Sequence, residues 1–242
     1  MEPRCNYCDF FGEKYHCNNC KIFNGARRHV PREITCSLDE LVDYVENTEN
    51  IEDIEERFGL GDYIYIETYT GEKLKCVIID YGKDIIASSG ETAKVSFGIF
   101  NIDGYYQMNT TDTNEGGYSA SLGRVRMGRF YQVMPQKLKD HIKPVVKKSS
   151  IGSSKTDLVC TEDKLWMFSE VEILGINYYS IPGEGEQYEY FKNEDNRRFN
   201  GYKWLRSANS GNSSYFCSVS AGGNADWSYA SNACGVALGF CV

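Results

Sequence analysis

The residues best spaced for chemistry are four cysteines near the start of the chain. Cys5-x2-Cys8 and Cys17-x2-Cys20 form two Cys-x-x-Cys pairs. Each pair can fold as a knuckle that presents two thiolates to one ion, and two knuckles complete a tetrahedral structural zinc site. His16 and Cys36 are spare donors beside it. A segment this short has almost no core of its own, so the metal would contribute most of its folding energy. Four protein ligands leave no open coordination position, so the module is for attachment or interaction and does no catalysis. The other cysteines, Cys36, Cys76, Cys160, Cys217, Cys234 and Cys241, are scattered and read as reduced thiols, with Cys217, Cys234 and Cys241 packed in the final strands.

Other chemistry is sparse. The chain holds 3 His, two of them inside the cysteine-rich module, so a histidine-based active site is unpromising. There is no Gly-x-Ser-x-Gly elbow, phosphate loop, His-Glu-x-x-His or dinucleotide fingerprint. Glu170 and Glu172 read as neighbours on a strand pointing the same way, with Glu184 and Glu186 nearby in sequence. A paired-carboxylate glycosidase would need two such groups facing a cleft; the plainer reading pairs a buried Glu170 with Arg206.

The most unusual stretch is Ser207 to Ala233. Of its 27 residues, 23 are Ser, Ala, Asn, Gly, Tyr or Asp, and the rest are Phe216, Cys217, Val219 and Trp227. Such a composition does not fold alone, but small polar residues with Tyr and Trp anchors are what binding loops are made of. The candidate ligand-facing residues are Asn209, Ser210, Asn212, Ser214, Tyr215, Asn224, Asp226, Trp227, Tyr229 and Asn232.

These residues need a scaffold. Ser37-Leu38-Asp39-Glu40 is a capping box, followed by an apolar face of Leu38, Leu41, Val42 and Val45. Residues 47–57 are acidic and read as a spacer. Tyr63–Tyr69 and Leu74–Tyr81 flank Thr70-Gly71-Glu72 as a hairpin, and Lys94–Ile102 reads as a further strand. Ser121–Met134 reads as a helix burying Leu122, Val125, Phe130, Val133 and Met134. A second short helix follows Pro135, with Lys137, Lys139, Lys143, Lys147 and Lys148 on its wet face. Lys164–Phe168 is expected as a buried strand running into Ser169–Leu174. Helices in the middle with strands at both ends indicate an α+β fold. The expected organisation is a zinc-knuckle module at 1–36, a helical acidic linker at 37–59 and a ligand-binding domain at 60–242.

From about Gly61 onward the chain resembles a bacterial and phage domain family of unassigned function. Its motifs appear as Asn109 to Tyr118 (ending Asn114-Glu115-Gly116-Gly117-Tyr118), Lys164 to Glu172, Trp204-Leu205-Arg206-Ser207, and Gly235 to Val242. Ala237 and Leu238 replace the usual Arg and Pro of the closing strand. The motif order is similar to the C-type-lectin-like fold of formylglycine-generating-enzyme relatives. Segment 207–233 further resembles the variable region of proteins diversified by retroelements. There adenine mutation turns Asn codons into Ser, Tyr, Asp, Gly or Ala codons but never into Lys, Glu, Gln or Met codons. Those four residues are missing here. Trp227 cannot arise that way and would be framework. The calcium-binding motifs of true C-type lectins are not present.

The resemblance implies a non-enzymatic, receptor-binding type of protein that displays a diversified surface on a lectin-like scaffold. Its partner would be a protein or cell-surface ligand. The N-terminal module would serve homo-oligomer or virion attachment, and zinc is the expected cofactor. A net charge of -8 argues against a general nucleic-acid binder. No apolar h-region follows Met1 and no run is long enough to span a membrane, so synthesis in the cytoplasm without a signal peptide is expected. A hydrolase or oxidoreductase on the same fold, or a structural virion or scaffold subunit, stays open beside this reading.

Overall fold

Ser37 caps the first helix of the computed structural model, which describes residues 29–242. The expected zinc ligands Cys5, Cys8, Cys17 and Cys20 lie outside the described residues. Residues 32–242 form one compact unit. In helix α1 (Leu38–Asn47) the capping box is complete: Ser37 Oγ accepts from the Glu40 N–H, and Glu40 Oε2 accepts from the Ser37 N–H at 2.8 Å. Its apolar face is buried through Leu41, Val42 and Val45, and α2 (Ile51–Arg57) adds Ile54. The acidic stretch expected as a linker is therefore packed onto the same core as the strands that follow.

The hairpin forms as read. Strand β1 (Tyr63–Glu67) pairs antiparallel with β2 (Lys73–Tyr81), and β2 pairs with β3 (Val95–Ile99). After β3 come a helical turn α3 (Gly117–Ala120), then α4 (Leu122–Val133) and α5 (Gln136–His141). Helix α4 buries only part of the side expected: Met134 after it is inside and Phe130 packs against the core, but Val125 is 54% exposed and Gly123 and Met127 take the inner positions. A side chain at Gly123 would collide with the Met108 sulfur, 2.6 Å from the Cβ position, so the helix docks through its glycine.

Two expectations fail after Pro144. Lys147 and Lys148 lie on strand β4 (Val145–Ser150), which pairs with β5 (Leu158–Asp163), so the lysine series does not belong to one helix. Pro144 ends the helical pattern, and the β-branched Val145-Val146 start a strand. The strand expected at 164–168 is the short β6 (Trp166–Met167), and Glu170 and Glu172 sit on helix α6 (Glu170–Leu174). Then follow β7 (Lys203–Ala208), β8 (Tyr215–Val219), β9 (Ala225–Tyr229), β10 (Gly235–Val236) and β11 (Leu238–Cys241).

The strands make a five-stranded sheet in the order β1-β2-β3-β11-β6, a four-stranded sheet β10-β7-β8-β9, and the β4-β5 ribbon. The architecture is α+β. Strand alternation divides the interior between two apolar clusters. Trp204 and Phe216 face a cluster with Phe97, Trp166 and Phe240, while Leu205, Cys217 and Val219 face one with Phe168, Tyr188 and Phe191. No described helix is long and apolar enough to cross a membrane.

Candidate ligand-binding surface

Strand β9 is the outer strand of its sheet. Its partner β8 places Tyr215 opposite Tyr229 and Cys217 opposite Trp227. Because alternate side chains share a face, Tyr215, Trp227 and Tyr229 fall on the same side. Tyr215 and Trp227 stack at 4.2 Å between ring centroids, and Tyr229 meets Tyr215 edge-on at 4.6 Å. Trp227 and Tyr229 are 41% and 44% exposed. Beside them a groove of about 450 Å³ is lined by Tyr105, Tyr202, Trp227, Ser228 and Asn232. Tyr105 and Tyr202 are 70% and 49% exposed, and neither Gly104-Tyr105-Tyr106 nor Gly201-Tyr202-Lys203 forms a motif that would single them out.

The polar candidates separate into two groups. Asn212, Asn224 and Asn232 are exposed, and Ser214 and Asp226 half-exposed. The Asn232 side-chain amide donates to Ser228 Oγ at 2.8 Å, holding the loop that follows β9. Asp226 accepts from the Trp227 N–H at 2.7 Å and so occupies a backbone donor of the outer strand. Asn209 is buried, and its Oδ1 accepts from the N–H groups of Gly211 and Asn212 at 2.9 and 3.0 Å. Ser210 donates through N–H and hydroxyl to the Tyr179 carbonyl, at 2.7 and 2.8 Å. Asn209 and Ser210 therefore shape the loop, while the others supply its outward surface.

Asn114 fixes that loop from beneath. It is wholly buried, and its Nδ2 lies 3.2, 3.0 and 2.7 Å from the carbonyl oxygens of Asn209, Asn212 and Tyr215. Its Oδ1 accepts from Ser153 N–H at 2.7 Å. Gly117 and Gly152 make this approach possible: a Cβ on either would sit 1.7 Å from a backbone oxygen, of Ser150 and Asn114 respectively. On β7, Trp204 donates to the Tyr106 carbonyl at 2.6 Å, and the Ser207 hydroxyl accepts from the Glu170 N–H at 2.9 Å.

Below the sheet lies a buried ionic cluster. Arg206 makes a two-pronged pair with Glu172, with Nη2 at 2.8 Å from Oε1, and also donates to the carbonyls of Lys148, Met167 and Glu184. The expected Glu170–Arg206 pair is thus replaced by Glu172–Arg206. The cause is the helix, since residues two apart on it point to different sides. Glu170 instead accepts from the N–H groups of Tyr179 and Ser180 and from the Ser180 hydroxyl. Lys147 contacts Glu172 at 3.2 Å, Tyr188 at 2.7 Å and also Asp84. Ser96 donates to Asp84 at 2.6 Å.

Burial opposes ionisation of Glu172, but Arg206 and Lys147 outweigh it and hold the carboxyl below its usual range. At Asp84, Lys147 and hydrogen bonds from Ser96 and Tyr188 overcome burial in the same way. Glu184 differs: burial raises it to about 7, and its Oε2 has no hydrogen-bond partner. None of these groups lines the groove beside Trp227, and the cluster serves as a framework. Cys217, Cys234 and Cys241 are buried, with their thiols pushed up by burial, so they pack and are not activated nucleophiles. Among the described residues no group of three or more His, Cys, Asp or Glu is placed to hold a metal.

Residues 83–242 match the model of a family described as Domain of unknown function (DUF6273). That span contains the ionic cluster, the Asn114 loop and the whole aromatic surface. No curated protein and no solved structure matches the chain.

Proposed function

We propose that this chain, which belongs to the DUF6273 family of domains of unknown function, is a non-enzymatic ligand-binding protein whose working surface is segment 207–233. The observation that carries the reading is the aromatic stack of Tyr215 on β8 with Trp227 and Tyr229 on the outer strand β9. Rigid aromatic anchors ringed by small polar groups supply contact area at low entropic cost. The ligand is a protein or cell-surface molecule read by shape and hydrogen bonding.

A lectin-like scaffold is supported by how the four sequence motifs converge. Asn114 of the first bonds the loop after the third, Glu172 of the second pairs with Arg206 of the third, and the fourth supplies β11, an inner strand of the large sheet. Diversification of 207–233 fits the placement of Asn212, Asn224, Tyr229 and Asn232, whose exposed side chains pack no core. Zinc held by Cys5, Cys8, Cys17 and Cys20 belongs to the same proposal, as an N-terminal attachment module.

A joint substitution of Asn212, Asn224, Tyr229 and Asn232 by Ala tests the reading. Exposed sites each contribute within about 0.5 kcal/mol, so the melting temperature should hold to within about 8 °C. Capture of cell-surface proteins and glycans on arrays should disappear. A collapse in melting temperature, or unchanged capture, overturns the proposal. For diversification, the neighbouring DNA should hold a template copy of the 3' end that differs only at adenines.

A further inference from the structure

Lys203 opens strand β7 and is 3% exposed. Lys147, the other buried lysine among the described residues, is surrounded by Asp84, Glu172 and Tyr188. Lys203 Nζ has no hydrogen bond and no ion pair among the described residues. Burial pushes its ammonium pKa down, and Asp103 opposes this without coming within ion-pair distance. The stem is enclosed while the ammonium keeps contact with solvent, so the surface onto which Nζ opens matters.

Lys203 lines a groove of about 380 Å³. Its Nζ lies against Gly235, another wall residue: a Cβ there would sit 3.0 Å from Nζ. Glycine at this position keeps the tip of the lysine open to the groove. The walls are aromatic, with Phe100 stacked on Tyr190 at 6.0 Å and Phe199 5.5 Å from Phe100. Tyr105 stands at the mouth. The two other cations that line the groove are already engaged. Lys75 Nζ lies 3.6 Å over the Tyr63 ring, and Arg198 is 3.5 Å from Asp195.

We infer that this groove is a binding site for a small monoanionic carboxylate with a flat apolar body, whose charge is met by Lys203 Nζ. The volume suits a small ligand, and a groove with aromatic residues on its walls and polar ones around them can take a flat apolar body joined to a charged group. One unpartnered ammonium matches one negative charge, and Asp103 at the wall disfavours a dianion such as phosphate. The groove is independent of the surface proposed above, although Tyr105 borders both.

The test is ligand-observed NMR on the full chain with benzoate and phenylacetate, each beside its uncharged amide. Each acid should bind at least tenfold more tightly than its amide. Lys203→Met keeps the length of the side chain and should abolish that preference while leaving a folded protein by near-ultraviolet circular dichroism. Tyr105→Ala, at an exposed site that does not threaten the fold, should weaken the acids severalfold. Equal binding of acid and amide to the wild-type chain, or no binding of either, overturns the inference without reference to any variant. Retention of the acid preference in folded Lys203→Met overturns it as well.

Discussion

Glu184 is the residue whose environment asks most of its chemistry. It is wholly buried, one oxygen accepts from the Ser150 N–H at 2.7 Å, and the other has no partner. Two cations and two carboxylates already balance nearby, as Lys147, Arg206, Asp84 and Glu172. Burial lifts the Glu184 pKa to about 7, against the lowering pull of Arg206 and of the Ser150 N–H. Its folded pKa is therefore above its unfolded one. Its stabilising contribution is complete below the unfolded pKa and is lost as pH rises through the folded value. Stability should fall between about pH 4.5 and 7, by at most roughly 3 kcal/mol. Glu184→Gln has no proton to lose and should flatten that slope, gaining most at pH 8. Urea unfolding at pH 5 and pH 8 for both proteins checks this; parallel profiles would show that Glu184 is ionised in the fold. The carboxylates with depressed pKa, Asp84 and Glu172, act oppositely, since their contribution is present above their unfolded values and fails on acidification.

At the scale of elements, the segment from Asn114 to Gly117 decides whether the candidate surface keeps its shape. Gly117 has φ 59°, and a Cβ there would lie 1.7 Å from the Ser150 carbonyl oxygen. Backbone has no rotamer by which to yield. Gly117→Ala should cost on the order of 2–4 kcal/mol through left-handed strain and the clash together. It should also raise hydrogen exchange at Asn114, whose N–H bonds the Ser213 carbonyl at 2.6 Å, before global unfolding. Unchanged exchange at Asn114 would separate the loop from the glycine. The same scale explains what the sequence could and could not reveal. Ser37-x-x-Glu40 was legible as a capping box because apolar residues at helical spacing followed it. Ser169-x-x-Glu172 is the same device, with Glu172 Oε2 accepting from the Ser169 N–H at 2.9 Å. It was masked by the apolar run Leu165–Phe168, which reads as a continuing strand. The helix it starts has only five residues, too few to display a 3.6-residue period. Missing that helix exchanged Glu172 for Glu170 as the partner of Arg206. The lysines failed for another reason: spacing of 137, 139, 143, 147 and 148 cannot show where Pro144 changes helix to strand. Lys147 then meets Asp84, Glu172 and Tyr188, partners distant in sequence that no local pattern brings together.

For the whole molecule, the division of labour is between a unit at 32–242 with its own buried cores and a cysteine-rich segment before it. The longer unit has what a segment of about thirty residues lacks, enough apolar area to offset the entropy of ordering the chain. On the proposal that Cys5, Cys8, Cys17 and Cys20 hold zinc, binding energy that is also folding energy would offset that shortage. Thiolate binding competes with protons, so the site should hold zinc at neutral pH and release it on acidification. Elemental analysis of the full chain, purified without chelator, should give about one zinc per chain. The double substitution Cys5→Ser, Cys20→Ser takes one ligand from each knuckle and should leave well under half of that, because two remaining thiolates no longer close a tetrahedral site. If the chain carries no zinc after expression in zinc-supplemented medium, or the double variant retains all of it, the four cysteines are not a metal centre.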